Sequence, residues 1–191
     1  MRFAGRLRNI GALYTEGQGV SQDYAKAVAW FGKGAAAGNG RAMAYVGLLY
    51  AEGQGVPQDY TKAMEWFRKG AAAGSRRAMA GIGFLYAHGQ GVPQNYTKAM
   101  EWYRKGAAAG SGQAMCNIGA LYAEGQVVPQ DYTKAMEWYR KGAAAGSGRA
   151  MCNIGSLYAY GQGVPQNYTK AMEWYRKGAA AGSGQAMCNI G

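Results

Sequence analysis

The residues best able to do chemistry are few and stand apart from one another. The single histidine, His88, has no cluster of cysteine or aspartate around it that could complete a zinc site. Cys116, Cys152 and Cys188 recur at intervals of 36 residues, and an odd number at that spacing is not a disulfide framework. Most serines directly precede helical segments, where capping accounts for them, and no nucleophile–base pair accompanies them. The sequence therefore predicts no enzyme, no metal site and no cofactor.

The cysteines and the Gly-x-Gly segments also have structural explanations. In two other copies the cysteine position holds Ala44 and Ala80, so a small packed side chain is the simplest interpretation. Packed helices lie about 8–10 Å apart, which exceeds the reach of a disulfide. Segments such as 53–55 join two helical segments and do not follow a strand, unlike phosphate-binding loops. Because the thiols are free and no signal peptide or membrane-spanning segment is recognised, the sequence favours a cytoplasmic location.

Aromatic residues recur with a fixed period of 36 residues along the whole chain. A period of about 20–50 residues is typical of repeat arrays. We therefore interpret 1–191 as a single repeat domain, and we expect the periodic tryptophans to be largely buried between helices. The predicted repeats are 5–40, 41–76, 77–112, 113–148 and 149–184, numbered 1 to 5, with a partial sixth at 185–191. The periodic residues are Trp30, Trp66, Trp102, Trp138 and Trp174, and Tyr14, Tyr50, Tyr86, Tyr122 and Tyr158.

Each repeat contains two helical segments, as repeat 2 illustrates. Segment 41–52 places apolar residues at helical spacing and is followed by Gly53, a typical C-terminal stop. Asp59 is a good N-cap for the second segment, 60–73, and Ser75 for the helix after it. Because the connecting turns are short, the helices must pair and stack, which predicts an all-α solenoid of helix-turn-helix repeats. The predicted inner faces comprise Ala42, Val46, Leu49 and Tyr50, and Tyr60, Ala63, Met64, Phe67 and Ala71.

A set of residues in repeat 2 forms a pattern that recurs with the period of 36, namely Ala42, Val46, Gly47, Leu49, Tyr50, Gly53, Gly55, Val56, Asp59, Lys62, Ala63, Trp66, Phe67 and Lys69. This pattern resembles the Sel-1-like repeat, a relative of the tetratricopeptide repeat. The resemblance implies a right-handed α/α superhelix whose first helices line a concave groove, and an adaptor or scaffold role in complex assembly, most often in bacteria. The chain departs from the family at Gly70 and its equivalents, where the family usually has Ala, and at Val127, where the other copies have Gly.

Differences between the repeats concentrate on one stripe of the first helix. Six of the nine differences that separate repeats 3 and 4 from repeat 5 fall on the positions of Arg41, Tyr45, Leu48 and Glu52. At 100° per residue these four positions lie within about 60° of arc. We interpret the stripe as a surface on the concave face that binds a partner protein or an extended peptide. The predicted binding residues are Arg41, Tyr45, Leu48, Glu52, Arg77, Phe84, His88, Gln113, Asn117, Glu124, Arg149, Asn153, Tyr160 and Asn189.

The asparagines of this stripe give a direct structural expectation. Asn117, Asn153 and Asn189 should form a row whose side chains have no internal partners, because an amide can bond both groups of an extended peptide backbone. The alternative is that exposed positions vary freely. Against that alternative, the equivalents of Lys62 and Arg68 should be equally exposed and yet barely vary.

The net charge of +11 supports a second hypothesis about partners. Lys62, Glu65, Arg68 and Lys69 occupy one arc of the second helix, opposite its predicted inner face. Such an arc is typical of a solvated surface, but it could also bind nucleic acid or an anionic surface on the convex side. The aromatic residues recur at core-like spacing and not as exposed stacking platforms, which disfavours nucleic acid.

The partial sixth repeat leads to a separate expectation. It stops within its first helix, so the apolar face of Tyr168, Met172 and Tyr175 should be covered only by Met187 and Ile190. Solenoids normally end in a capping repeat with a polar outer face. We therefore predict self-association through the C-terminal end of the array.

Overall fold

The computed structural model describes residues 2–182, with side chains from residue 4 onwards, and this part of the chain is all-α. It has the fold of a solenoid of tandem helix-turn-helix repeats, as the period predicted. Odd-numbered helices are the first helices of the repeats and even-numbered helices are the second helices. The helices are α1 Arg2–Glu16, α2 Tyr24–Ala36, α3 Gly40–Glu52, α4 Tyr60–Ala72, α5 Arg76–His88, α6 Tyr96–Ala108, α7 Gly112–Glu124, α8 Tyr132–Ala144, α9 Gly148–Tyr160 and α10 Tyr168–Ala180.

The chain forms two compact units, which are residues 1–102 and 103–191. In the first unit α3 packs on α4 and also lies beside α5, the first helix of the next repeat. In the second unit α7 packs on α8 and lies beside α9 in the same way. Each unit therefore places first helices next to one another, so that residues at equivalent positions of successive repeats become neighbours.

The helix ends follow the capping chemistry of the sequence. Gly53 ends α3 in the left-handed region at φ 68°, and its N–H donates to the Leu49 carbonyl. The Asp59 carboxylate accepts from the backbone N–H of Lys62, and the Ser75 hydroxyl accepts from that of Ala78. The predicted stop and both predicted N-caps are therefore confirmed.

Val127 changes one turn without entering the left-handed region. The glycines at its position in other repeats, such as Gly55 and Gly163, have φ values of 72° and 68°. No non-glycine residue in the described part of the chain has a positive φ. A β-branched side chain strongly disfavours that region, so the turn after α7 follows a different backbone path.

Aromatic rings between small residues form the core of each unit. Phe67 is 2% exposed and packs with Ala63, Met64, Ala78 and Leu85 in the first unit. Tyr139 occupies the equivalent place in the second unit. The predicted inner faces are confirmed at most positions, whereas Tyr50, Tyr60 and Ala71 are only half-buried.

The periodic tryptophans and tyrosines are covered partly by lysines. Trp66 packs against the core on one side and is half-buried. On its other side the Lys69 ammonium lies 4.7 Å from the ring centroid, and the Lys62 ammonium lies 5.6 Å from that of Tyr50. The lysine ammonium is attracted to the ring face, and the aliphatic part of the lysine side chain shields apolar surface. These rings are therefore covered without a further helix packed over them. The tryptophans are therefore packed between helices, as expected, but not fully buried.

Gly70 departs from the family pattern because two helices approach closely there. A methyl group at Gly70 would lie 2.9 Å from the Cβ of Ala78 and 3.0 Å from the carbonyl oxygen of Gly40. Methyl groups at Gly34 and Gly142 would lie 3.0 Å from the equivalent alanine Cβ atoms. Alanine at this position would push the next repeat away, so glycine sets the spacing between repeats.

Three aspartates stabilise second helices more strongly when they are ionised. Asp23, Asp59 and Asp131 each accept a 2.9 Å hydrogen bond from the backbone N–H of the lysine three residues ahead. They also pair with the same lysine's ammonium at 3.2–3.3 Å. The backbone hydrogen bond, with the lysine charge, holds the pKa of each carboxyl below its usual 3.8, against the opposing effect of burial.

We expect replacement of all three aspartates by asparagine to flatten the acid dependence of stability. A depressed folded-state pKa gives stability that is present above the unfolded value of 3.8 and is lost as pH falls through the folded-state pKa. Asparagine keeps the cap, as Asn95 and Asn167 do with 2.9 Å hydrogen bonds, but it does not titrate. The urea midpoint of the variant should fall less than that of the wild type between about pH 5 and pH 2. Equal falls would show that these caps do not link folding to protonation.

Candidate interaction surface on the first helices

The structure brings the predicted binding residues together in two groups, one in each compact unit. We call these two groups the first-helix surface. Asn189 lies outside the described residues. The group in the first unit comprises Arg41, Tyr45, Leu48, Glu52, Arg77, Phe84 and His88, on α3 and α5. The group in the second unit comprises Gln113, Asn117, Glu124, Arg149, Asn153 and Tyr160, on α7 and α9.

Most of these side chains are exposed. Tyr160 is 73% exposed and Phe84 is 37% exposed, although large apolar side chains are usually covered. Tyr45, Leu48 and Asn153 are half-buried. The exposed members are Arg41, Glu52, Arg77, Phe84, His88, Gln113, Glu124, Arg149 and Tyr160.

In the first unit the exposed groups are held by stacking. The Tyr45 ring lies parallel to the buried Phe31 ring, with centroids 4.6 Å apart. The Arg77 guanidinium lies 4.7 Å from the Tyr45 centroid. Further along α5, the His88 ring stacks on Phe84 at 4.0 Å, and its Nδ1 lies 3.0 Å from the Phe84 carbonyl oxygen. The surface therefore presents a fixed cation near one end of α5 and an aromatic pair near the other.

In the second unit a hydrogen bond replaces the stack. Arg149 occupies the position of Arg77 two repeats later, and its Nη2 donates to the Oδ1 of Asn117 at 2.6 Å. Asn117, 5% exposed, occupies the position of Tyr45. In both units the arginine of a first helix is therefore positioned by the residue at the Tyr45 position of the preceding repeat.

The expectation that the asparagines have no internal partners is wrong for Asn117 and Asn153. Asn117 is buried and holds Arg149, and the Asn153 Nδ2 lies 3.6 Å from the Cys116 sulfur as a donor. Burial raises the pKa of Tyr103, while Arg149 and the Asn117 amide lower it in part. The amide is thus the polar group beside a buried hydroxyl, although its Nδ2 reaches no acceptor within hydrogen-bond distance. Asn117 and Asn153 therefore have structural roles within the protein.

The asparagines are explained by a pairing with the core aromatic residue of the preceding second helix. This pairing could have been found in the sequence. In α2, α4, α6 and α8 the core aromatic of the second helix faces the position of Tyr45 in the next repeat. Where that aromatic is Tyr, the partner is Asn, and where it is Phe, the partner is another residue. A buried hydroxyl needs a polar neighbour and a phenyl ring does not. The pairs in the described chain are Phe31 with Tyr45, Phe67 with Gly81, Tyr103 with Asn117, and Tyr139 with Asn153.

The cysteines within residues 2–182 have structural roles. Cys116 and Cys152 are buried thiols, as the small-residue interpretation predicted, and Cys188 lies outside this range. No group of three His, Cys, Asp or Glu residues in this range could hold a metal. No described helix is long and apolar enough to cross a bilayer. Tyr168 is 67% exposed, but Met187 and Ile190 lie outside the described residues, so self-association stays a prediction.

Comparison with known proteins decides the family. The Sel1 repeat model matches five consecutive segments, residues 7–39, 40–75, 76–111, 112–147 and 148–183. The chain belongs to the Sel1 repeat family. Sel1 repeat proteins are generally protein-interaction scaffolds and not enzymes. No curated protein matches the sequence.

Solved structures of other Sel1 repeat proteins are similar over nearly the whole chain. A Sel1 repeat protein from Oxalobacter formigenes is 36% identical with a TM-score of 0.79, over 96% of this chain and 75% of that one. A protective antigen of uropathogenic Escherichia coli with this fold is 32% identical with a TM-score of 0.71. The match covers 98% of this chain but only 40% of the antigen. An immunity protein of Pseudomonas aeruginosa, 21% identical with a TM-score of 0.77 over 97% of this chain and 69% of that one, shares the fold.

Proposed function

We propose that this Sel1 repeat protein is a scaffold that binds a partner polypeptide along its first-helix surface. The observation that carries the proposal is the contrast between the two kinds of helix. The first helices expose Arg77, Phe84 and Tyr160, whose positions differ from repeat to repeat. Exposed aromatic and arginine side chains are the residue types that dominate binding energy at protein interfaces.

The second helices have few exposed groups that are free to bind a specific partner. Their exposed lysines already cover aromatic rings, and in three repeats a lysine also pairs with the capping aspartate, as Lys62 does with Asp59. Their sequence is nearly the same in repeats 2 to 5, so it carries little information there that could distinguish partners. The varied first helices are the better candidate for recognition.

Paired variants test which helices bind. Phe84→Ala with Tyr160→Ala removes two exposed first-helix rings, whereas Arg68→Ala with Arg140→Ala removes two exposed second-helix side chains. Immobilised wild-type and variant proteins are presented with an extract of the source cells, and the recovered partner is quantified. We expect the first-helix variant to lose about tenfold or more of the partner and the second-helix variant to keep it. Loss by the second-helix variant alone would contradict the proposal.

Binding of nucleic acid or anionic surfaces by the second helices is the alternative, supported by the exposed Arg68, Lys69 and their equivalents. Several phosphate contacts give strong binding that falls steeply with salt. We expect elution from heparin below about physiological ionic strength, because most of these lysines lie over rings and alternate with glutamates such as Glu65. Retention well above that strength, lost in Arg68→Ala with Arg140→Ala, would favour the alternative.

A further inference from the structure

Arg77 is an exposed cation held by a stack of two rings. Its guanidinium lies 4.7 Å from the Tyr45 centroid, and Tyr45 is stacked in turn on Phe31, which is fully buried. A guanidinium that contacts a ring through its face keeps its in-plane N–H donors directed away from the ring. These donors remain available to a planar acceptor, and the side chain has already lost much of its freedom.

Arg149 is held by a different contact at the same place in its repeat. One of its N–H groups donates to the buried Asn117 amide oxygen at 2.6 Å. Arg149 also contacts the Cys116 thiol, and because its guanidinium is exposed its remaining donors can reach an incoming group. Two unrelated side chains, Tyr45 and Asn117, therefore position an arginine in the two compact units.

Within residues 2–182 neither arginine forms an ion pair, and the three capping aspartates Asp23, Asp59 and Asp131 are each paired with a lysine. The whole chain has 21 Lys and Arg against 10 Asp and Glu. A surface with this imbalance and with fixed, unneutralised cations complements a negatively charged partner.

Other residues of the same surface favour a polypeptide over a nucleic acid. Glu52 and Glu124 are exposed on it and would repel a continuous phosphate backbone. Phe84 and Leu48 offer apolar contact. Arg77 and Phe84 are seven residues apart on α5, which is about 10 Å along a helix. An extended peptide covers that distance in about three residues.

We infer that the partner segment is acidic. Arg77 in the first unit binds a carboxylate of such a segment, with an apolar residue about three positions away along the segment beside Phe84. Arg149 in the second unit binds a carboxylate in the same way, without the apolar neighbour. The inference rests on the proposed function, because it specifies what the first-helix surface binds. Tyr45 and Asn117 are positioning residues in this arrangement, since they act through the arginines.

A synthetic peptide tests the inference without knowledge of the natural partner. The probe is a fluorescein-labelled peptide of repeated Glu-Ser-Ser-Leu, about twelve residues long, and its binding is followed by fluorescence anisotropy at physiological salt. We expect saturable binding, abolished when Gln replaces Glu in the probe. The double variant Arg77→Ala with Arg149→Ala should weaken binding about tenfold. Arg68→Ala and Arg140→Ala, which remove the same charge from second helices, should weaken it less than about twofold.

The positioning role has its own readout. Tyr45→Leu keeps every charge but removes the ring under Arg77, so it should weaken the probe nearly as much as Arg77→Ala. Tyr45→Phe should bind normally because it keeps the ring. Thermal unfolding is measured for each variant, and a loss of affinity counts only where the fold is intact; Arg77→Ala, at an exposed site, supplies the comparison if Tyr45→Leu fails to fold.

The outcomes separate this inference from the proposed function. Absence of probe binding, or equal losses in the first-helix and second-helix variants, would overturn the acidic-segment inference. Displacement of the probe by a single-stranded oligonucleotide at equal charge would do the same, in favour of a nucleic acid. If the inference fails in any of these ways while Phe84→Ala with Tyr160→Ala still loses the partner in cell extracts, the scaffold function stands and its partner is not acidic.

Discussion

Gly47→Ala is expected to destabilise the protein by about 1–3 kcal/mol, although alanine is the best helix former. A methyl group at Gly47 would lie 2.7 Å from two atoms of the Phe67 ring and 3.2 Å from the Ala63 carbonyl oxygen. The ring cannot move aside cheaply, because Phe67 is only 2% exposed and is enclosed by the core. The two helices of the repeat would have to separate.

Gly32→Ala is the matched control. Gly32 lies inside α2, and a methyl group there would meet no atom within 4 Å. The same substitution should therefore stabilise the protein by about 0.5–1 kcal/mol through the lower backbone entropy of the unfolded chain. Urea unfolding of both variants measures the difference. If Gly47→Ala were as stable as Gly32→Ala, the close packing of first and second helices described above would be wrong.

Gly81→Asn is expected to cost about 2–4 kcal/mol when it is made alone. A Cβ at Gly81 would lie 2.8 Å from the Phe67 ring, and the added amide would lie beside a phenyl ring that cannot hydrogen-bond to it. Both the crowding and the unsatisfied polar group destabilise the folded state. The pairing of tyrosine with asparagine predicts that Phe67→Tyr will offset part of this cost.

A double-mutant cycle measures that compensation. Gly81→Asn with Phe67→Tyr recreates the Tyr103 and Asn117 pair of the following repeat, so we expect the two changes to couple by about 1–2 kcal/mol in the stabilising direction. Strictly additive effects would mean that the hydroxyl and the amide do not depend on each other. In that case the joint occurrence of Tyr and Asn in this chain would have no packing explanation.

Most of the fold can be predicted from the sequence because the copies of the repeat can be aligned with one another. A fixed period reveals which positions are constant, and capping residues such as Gly53, Asp59 and Ser75 mark the helix ends by local chemistry. The half-burial of Tyr50 and Trp66 was less predictable. Their spacing indicates an inner face, but only the structure shows that lysines of the second helix cover their outer sides.

The candidate surface was predictable in location but not in the role of each residue. Helical geometry places the variable positions on one stripe, and Arg77, Phe84 and Tyr160 are indeed exposed. Variation at the position of Asn117 has another cause. The Asn117 side chain lies beside the hydroxyl of Tyr103, a core tyrosine of the preceding second helix, so the residue at this position depends on that tyrosine. Contacts between helices decide whether a variable residue serves packing or recognition, and a single helix periodicity cannot separate the two.

The claim that the first helices bind the partner is tested most directly by site-specific photo-crosslinking. A photoreactive phenylalanine derivative replaces exposed residues on first helices, Phe84 or Tyr160, and in matched proteins it replaces exposed residues on second helices, Arg68 or Arg140. The proteins are irradiated in the source cells, and the covalent products are identified. We expect one partner polypeptide to be attached at both first-helix positions and at neither second-helix position. The same partner attached at Arg68 or Arg140, with none at Phe84 or Tyr160, would contradict binding by the first helices.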